Sequence, residues 1–439
     1  MMAIIVAGGR GTRLSNLGAH IPKPLVCVAG RPLLDYVLCL LSRYGFQDVL
    51  LCTNYLSEQV ESYVGDGNRW GLHVTYSVEQ KPLGTAGCLR AIEPRPSEDF
   101  LVAYADVLID MDLRALVTFH YAHGGDGTIV AHPNEHPFDS DLLELDPISK
   151  RVLAVHRKPH PLGQFFENLV NAGLYVFRPR VLDLVQPGEK ADCAQDLFPR
   201  MLEGGYSLFA YRTAEYLKDL GTSERLAEGT RDILTGRVER SNRRYARPAV
   251  FIDRDGVINR EVDLLHDPAD FELLPGVVEA IRDLNRNGLL VIVVTNQPVV
   301  ARGLCDEQTV RLIHSKMETL LGGGGAYVDG IYYCPHHPHS GYPGENPAYK
   351  VSCLCRKPET GLIKAAAADF HIDIANSVMV GDTTTDVQTG INAGLRTILV
   401  GTGYGGIDHK YDVRPDLYTN NFYTAVNWII DYVDSVDKK

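Results

Sequence analysis

The sequence predicts an α/β protein of two domains, each a mostly parallel sheet flanked by helices. Three observations predict it. Short apolar runs alternate with stretches of helical period, as at 33–44, 49–53 and 58–64. Several strand-length apolar runs empty into glycine-rich or acidic loops, which is where open α/β sheets build their sites. At 439 residues the chain is long enough for two or three domains, each burying its own core.

The first element is Ala3-Ile4-Ile5-Val6, a strand so near the start that no room is expected for a signal peptide. It runs into Ala7-Gly8-Gly9-Arg10-Gly11-Thr12-Arg13-Leu14. Glycines let the backbone approach an anion closely, and arginines add charge-assisted hydrogen bonds. The spacing is neither G-x-G-x-x-G nor G-x-x-x-x-G-K-[ST]. Ile21-Pro22-Lys23-Pro24-Leu25 then brings a lysine back to the same phosphates.

This pair of segments resembles the sugar-1-phosphate nucleotidyltransferases over about 1–230, and further matches follow in order. Glu79-Gln80 and Leu83-Gly84-Thr85-Ala86-Gly87 are similar to the segment that reads the nucleobase. Tyr104-Ala105-Asp106 and Asp219-Leu220-Gly221-Thr222 align with the two magnesium ligands, and Asn171-Ala172-Gly173 with the sugar site. The resemblance implies that Ala7, Gly8, Gly9, Gly11, Thr12, Gln80, Gly84 and Thr85 bind nucleotide. It implies sugar-phosphate contacts for Lys158, Asn171 and Gly173, and magnesium on Asp106 and Asp219. An oxygen of the sugar 1-phosphate would attack the α-phosphorus of a nucleoside triphosphate, with Arg13, Lys23 and metal holding the departing pyrophosphate. Two departures stand out: Ala105 replaces the usual glycine, and Arg157-Lys158-Pro159 replaces Glu-Lys-Pro.

Arginines 237, 240, 243, 244 and 247 crowd the stretch before the next strand and read as a solvated linker, 235–247, between domains 1–234 and 248–439.

Phe251-Ile252-Asp253-Arg254-Asp255-Gly256 opens the second half. Alternate strand residues share a face, so both carboxylates point into one site. One can attack phosphorus while its neighbour moves a proton. Val291–Val294 ends at Thr295-Asn296-Gln297, Arg356-Lys357-Pro358 supplies a lysine, and Val378-Met379-Val380-Gly381 ends at Asp382, with Asp386 four residues on. An anionic phosphate approaches such carboxylates only if a hard cation and a lysine neutralise the repulsion.

Just before that lysine, Cys334-Pro335-His336 and Cys353-Leu354-Cys355 offer three thiolates and an imidazole, the soft donors of a closed zinc site. The intervening loop is rich in Pro, Gly and His and lacks periodicity, so it needs a staple. His337 and His339 are spare candidates.

The order of these motifs resembles the haloacid dehalogenase-like phosphohydrolases over about 248–435. It is most similar to the heptose bisphosphate phosphatases and their histidinol-phosphatase relatives, where the Cys-x-His…Cys-x-Cys arrangement is structural. The resemblance implies Asp253 as nucleophile, Asp255 as general acid/base, and Thr295 and Lys357 as phosphoryl ligands. Magnesium would sit between Asp253, Asp382 and the backbone carbonyl of Asp255, and Asn296, Arg302 and Arg356 would meet the sugar phosphate. Pro298-Val299 departs from the usual Ser-Gly of that loop.

Composition fits two soluble catalytic domains. A formal net charge of −12 argues against binding a nucleic-acid backbone, and no apolar run reaches the roughly twenty residues that span a bilayer. Nine cysteines without a disulfide framework predict a reducing cytoplasm, with Cys27, Cys39, Cys52 and Cys88 as small core residues. Gly322–Gly325 reads as a flexible connection, and the apolar period over 425–430 as a helix packed on the second sheet. A homo-oligomer is compatible with this composition.

Together the resemblances imply consecutive steps. The second domain would take the 7-phosphate from D-glycero-α-D-manno-heptose 1,7-bisphosphate, and the first would join heptose 1-phosphate to GMP from GTP. The rival readings are a mannose-1-phosphate-type guanylyltransferase, or a nucleotide-sensing module, fused to a histidinol-phosphatase-like enzyme.

Overall fold

The computed structural model describes residues 1–8, 21–161 and 163–437. It divides into two compact units: Met1–His132, Ser140–Lys158 and Leu169–Arg244 form the first, and Pro133–Asp139, Pro159–Asn168 and Tyr245–Lys439 the second.

The first unit is built on a nine-stranded sheet. Ala3–Val6 lies at its centre, parallel to both Asp48–Thr53 and Phe100–Tyr104, and His73–Val78 extends the parallel half. Val170–Phe177 runs antiparallel to Phe100–Tyr104 and to Gly127–His132. The sheet is therefore mixed, with a parallel half where the glycine-rich loop begins. Fully buried Ile4 and Ile5 point to opposite faces and belong to two separate apolar clusters, as strand alternation requires. Helix Leu33–Arg43 buries Leu34, Val37, Leu38 and Leu41 at helical spacing.

The stretch expected as a linker is folded into this unit as far as Arg244. Helix Arg237–Arg240 follows Ser223–Leu234. The fully buried Asn242 donates to Asp110 at 2.6 Å, and Arg43 pairs with the same carboxylate at 2.9 Å. Removing one such partner leaves a buried polar group that costs about 1–3 kcal/mol.

The second unit is a six-stranded, all-parallel sheet in the order Gly330–Cys334, Leu290–Asn296, Ala249–Ile252, Val378–Gly381, Arg396–Val400, Leu417–Thr419. Its central strands Ala249–Ile252, Leu290–Asn296 and Val378–Gly381 carry apolar runs because both of their faces are covered. On one face Phe422, Ala425, Val426, Ile429 and Val433 of the last helix join the core, as the period over 425–430 predicts.

Two expectations are corrected here. Gly322 and Gly323 end the helix Glu307–Gly323 instead of forming a flexible connection; a Cβ on Gly322 would lie 2.5 Å from Pro137 Cγ, so glycine permits a close packing contact. Cys27 is exposed, whereas Cys52 and Cys88 are buried and Cys39 is half-buried. No described helix is long and apolar enough to cross a membrane.

Candidate active sites

In the first unit, strand pairing assembles a pair of carboxylates. Ala105 continues from Phe100–Tyr104, is buried, and donates from its backbone to Val6 O at 3.0 Å, so the replacement of glycine is absorbed without strain. Asp106 follows. Tyr216–Asp219 pairs antiparallel with Val107–Asp110, setting Asp219 opposite Val107, and Leu220 N reaches Asp106 O at 3.2 Å. Lys23 Nζ then lies 2.6 Å from Asp106 Oδ2 and 3.7 Å from Asp219 Oδ1. Arg225, which the sequence reading missed, reaches Asp219 Oδ2 at 3.0 Å from the first turn of a helix capped by Thr222. Both carboxylates are partly exposed, and hard oxygen donors of this kind suit magnesium.

Around this pair, a Cβ on Gly8 would lie 3.0 Å from Glu79 Oε2, so the glycine lets the chain pass that carboxylate. Burial raises Glu79 above the usual carboxylate range, and Gln80 beside it is exposed. Gly84 adopts φ +77° with Ala191 O against it. The Thr85 hydroxyl donates to Asp192 at 2.7 Å and accepts from Cys193 N at 2.8 Å. It is committed to the scaffold. Asn171 accepts from Gly173 N at 3.2 Å, Gly173 packs at φ +72° on Tyr104, and Lys158 N donates to Asp141 at 3.2 Å. Ala7 donates to Cys52 O at 2.8 Å. Gly9, Gly11, Thr12 and Arg13 lie outside the described residues.

In the second unit the strand ends converge. Asp253 follows Ala249–Ile252, Asp382 follows Val378–Gly381, and Asp386 lies on the first turn of the next helix. One oxygen from each of the three lies within 4.8 Å of the others. Lys357 Nζ is 2.9 Å from Asp253 and 2.6 Å from Asp386. Gly256 at φ +77° and Gly403 at φ +58° each bring backbone so close to Asp382 that a Cβ would sit about 2 Å from its Oδ2. Burial, then Asp386 and Asp255, push Asp253 up to about 7 against the opposing pull of Lys357. Burial with Asp386 and Asp253 pushes Asp382 to about 9. Three crowded carboxylates with one lysine carry excess negative charge, the setting a divalent cation relieves. Asp386 belongs to this set, and its spacing from Asp382 on a strand-to-helix turn was the signal for it.

Asp255 is placed differently. Its side chain stands apart from that trio and accepts from Asn259 Nδ2 at 2.9 Å and Gln297 Nε2 at 2.7 Å, besides Arg254. Burial opposes its charge, yet Arg254 and these amides hold its carboxyl below the usual range. Thr295 is buried, with its hydroxyl accepting from Gln297 at 2.9 Å. Asn296 exchanges two hydrogen bonds with the backbone of Lys357 (3.1 and 3.0 Å), so it positions the lysine.

A cavity of about 700 Å³ is lined by Asp253, Asp255, Thr295, Lys357, Asp382 and Asp386, and by His337, His339, Arg356 and Lys410 further out. Arg302 is not in that lining. It stacks 4.2 Å over Tyr342, its buried Nε has no hydrogen-bond partner among the described residues, and its charge pushes Arg356 down beyond what burial does. Pro298-Val299 makes sense in packing terms, because Val299, Val300 and Val310 form their own small core.

Cys334, His336, Cys353 and Cys355 meet in one cluster. The sulfurs lie 3.2–3.5 Å apart and His336 Nδ1 lies 3.3 Å from Cys355 Sγ. Those spacings approach the roughly 3.8 Å edge of a tetrahedron around zinc. His337 turns its Nδ1 to His339 O at 3.3 Å instead. Cys334 ends the strand whose register pairs it with Asn296, and Cys355 leads directly into Lys357. The cluster therefore anchors both ends of the loop beside the reacting groups.

Two carboxylates bridged by a lysine, and an aspartate trio around a buried lysine, suit two phosphoryl-transfer centres. A nucleotidyl transferase family model matches residues 2–236, and a HAD-hydrolase-like model matches 354–425. The chain is 38% identical over 194 residues to the D-glycero-D-manno-heptose-1,7-bisphosphate 7-phosphatase of Thermosynechococcus vestitus, covering 43% of this chain and 97% of that protein. It is 30% identical to a UTP–glucose-1-phosphate uridylyltransferase of Synechocystis (54% of this chain, 65% of that one). It is 34% identical to a mannose-1-phosphate guanyltransferase of Kluyveromyces lactis (52% and 64%). The chain thus spans just under two thirds of the transferases' length. It belongs to the nucleotidyl transferase family and, through its carboxyl-terminal half, to the family of the heptose-bisphosphate 7-phosphatases; it is an enzyme with two catalytic domains.

Proposed function

We propose that the carboxyl-terminal domain removes the 7-phosphate of D-glycero-α-D-manno-heptose 1,7-bisphosphate and that the amino-terminal domain transfers GMP from GTP to the resulting heptose 1-phosphate. The observation that carries this reading is that one chain holds both sites, one matched to an enzyme that yields a sugar 1-phosphate and one to enzymes that consume it. The same proposal takes the transferase as the first unit, which continues past the expected limit of 234 to Arg244, and the phosphatase as 248–439, in a cytoplasmic setting that nine cysteines without a disulfide support.

In the phosphatase, an Asp253 oxygen attacks the 7-phosphorus as the bond to the sugar oxygen breaks, and Asp255, which takes up a proton before this step against the pull of Arg254, delivers it to that oxygen. Water, deprotonated by Asp255, then releases phosphate from Asp253. Lys357 and Thr295 face the transferring phosphoryl oxygens. Magnesium would be held by Asp253, Asp382 and the backbone carbonyl of Asp255, with Asp386 beside them, and would supply charge neutralisation there. Arg356, backed by Arg302, meets the distal 1-phosphate. Zinc on Cys334, His336, Cys353 and Cys355 would be structural.

In the transferase, an oxygen of the sugar phosphate attacks the α-phosphorus of GTP and the bond to the β-phosphate oxygen breaks. Lys23 and Arg13 offset the charge that collects on pyrophosphate. Asp106 and Asp219 would hold magnesium, while Lys158, Asn171 and Gly173 position the sugar phosphate.

A grid of GTP, ATP, UTP and CTP against heptose 1-phosphate, mannose 1-phosphate and glucose 1-phosphate, read as pyrophosphate release, tests this. GTP with heptose 1-phosphate should lead. Mannose 1-phosphate is the second reading, favoured by the likeness to the guanyltransferase. Its leading the grid would transfer the proposal to that sugar.

A further inference from the structure

We propose that Arg254, the residue between the two reacting aspartates, is the positioning residue of the phosphatase site and that His314 is its backstop. This rests on the phosphatase reading above. Arg254 is fully buried and is the largest such side chain in the described chain. A buried guanidinium persists only where its fork of donors is satisfied, and here it is aimed at one carboxylate. Arg254 Nη2 donates to Asp255 Oδ1 at 2.9 Å and Oδ2 at 2.8 Å, and Nε reaches Oδ1 at 3.2 Å. Nη2 also reaches Gln297 Oε1 at 2.9 Å, and Gln297 Nε2 donates back to Asp255 Oδ2 at 2.7 Å. On the far side Nη1 meets His314 Nε2 at 3.3 Å. His314 is buried in the helix Glu307–Gly323, with its ring edge-on to Tyr333. Burial and the adjacent guanidinium push it down to about 3. It therefore stays neutral, and its Nε2 is the acceptor.

The consequence is geometric. Asp253 turns to Lys357 and the cation site, whereas Asp255, two residues on in the same cavity, is held by Arg254, Asn259 and Gln297. That division keeps the proton-moving carboxyl out of the cation cluster. It also lets two carboxylates on one strand end take different roles. Lysine cannot replace the fork, because a single ammonium does not hold both carboxylate oxygens.

A loss confined to Asp255's task appears only where proton delivery limits the rate. Formation of the Asp253 phosphoryl adduct from p-nitrophenyl phosphate needs no proton on its leaving group, whereas formation from phenyl phosphate does. In Arg254→Lys, the pre-steady-state burst of p-nitrophenolate should stay within about threefold of wild type, while phenol release slows by about 10²-fold with KM unchanged. His314→Leu should show a weaker version of the same split. His314→Gln, whose amide oxygen can accept from Arg254, should restore phenol release. If Arg254→Lys does not fold, the His314 pair alone decides. Equal slowing of both leaving groups, or no slowing of either, overturns the positioning role. A wild-type chain that hydrolyses neither ester would instead sink the phosphatase reading itself.

Discussion

Lys23 donates to Asp106 at 2.6 Å although 83 residues separate them. The same ammonium stands 3.7 Å from Asp219, so one cation ties together the two carboxylates that strand pairing brings side by side. Lys23→Ala should lower nucleotidyl transfer by about 10²-fold, the scale of losing one group that meets developing charge. Phosphate release by the same protein should stay within a few-fold of wild type. Parallel assays of pyrophosphate and phosphate on one preparation check this.

The converse holds for Asp253→Asn. Phosphate release should vanish while nucleotidyl transfer persists, since no amide can form the phosphoryl adduct. Loss of both activities in a chain that still melts cooperatively would refute two separate centres.

Stability should depend on pH in a direction set by the aspartate trio. Asp253 is raised from 3.8 to about 7 and Asp382 to about 9, in a setting shared with Asp386, Asp255 and Lys357. A carboxyl raised in the folded state binds more protons there than when unfolded. Its stabilising contribution is complete below pH 3.8 and is lost as pH climbs through 7 and 9. Magnesium competes with those protons, so it should raise Tm more at pH 8.5 than at pH 5.5. Calorimetry with and without magnesium gives the answer, and Asp382→Asn should flatten the difference.

Zinc should be found at about one per chain. Cys353→Ser should lower that content and reduce phosphatase activity by loosening the loop that ends at Lys357. Metal analysis and proteolysis of the Cys334–Cys355 loop, run together, separate this from a direct chemical role.

Arg356→Ala should depress turnover of the sugar bisphosphate by about 10-fold or more while sparing p-nitrophenyl phosphate, which has no second phosphate to recognise. Arg302→Ala should act in the same direction and less strongly, because Arg302 stacks on Tyr342 and is not among the residues that line the cavity.

What could be read ahead of the structure follows from how local each signal is. Asp253 and Asp382 are legible because each follows an apolar run that ends a strand, whereas Lys357 lies in a turn beyond Cys355 and is legible only from its place in the order of motifs. Asp106 and Asp219 are local to nothing in sequence. Their meeting depends on the pairing of Val107–Asp110 with Tyr216–Asp219, which only a family resemblance could anticipate. Arg254 has no role legible in the sequence and is fully buried in the fold, because its partners Asp255, Gln297 and His314 come from three elements. Four glycines at 322–325 suggest a flexible connection, yet two of them end a helix, where Pro137 leaves no space for a side chain. Thr85 and Asn296 are polar residues at the right places whose side chains serve the scaffold.

The order of the two reactions is the central claim, and which phosphate leaves first decides it. Phosphorus NMR of the whole protein with D-glycero-α-D-manno-heptose 1,7-bisphosphate, GTP and magnesium follows every phosphorus at once. The account predicts loss of the primary 7-phosphate signal while the anomeric signal persists. That signal should then give way to the coupled pair of a nucleoside diphosphate sugar, with pyrophosphate appearing alongside. Free heptose 7-phosphate as the main product would contradict it.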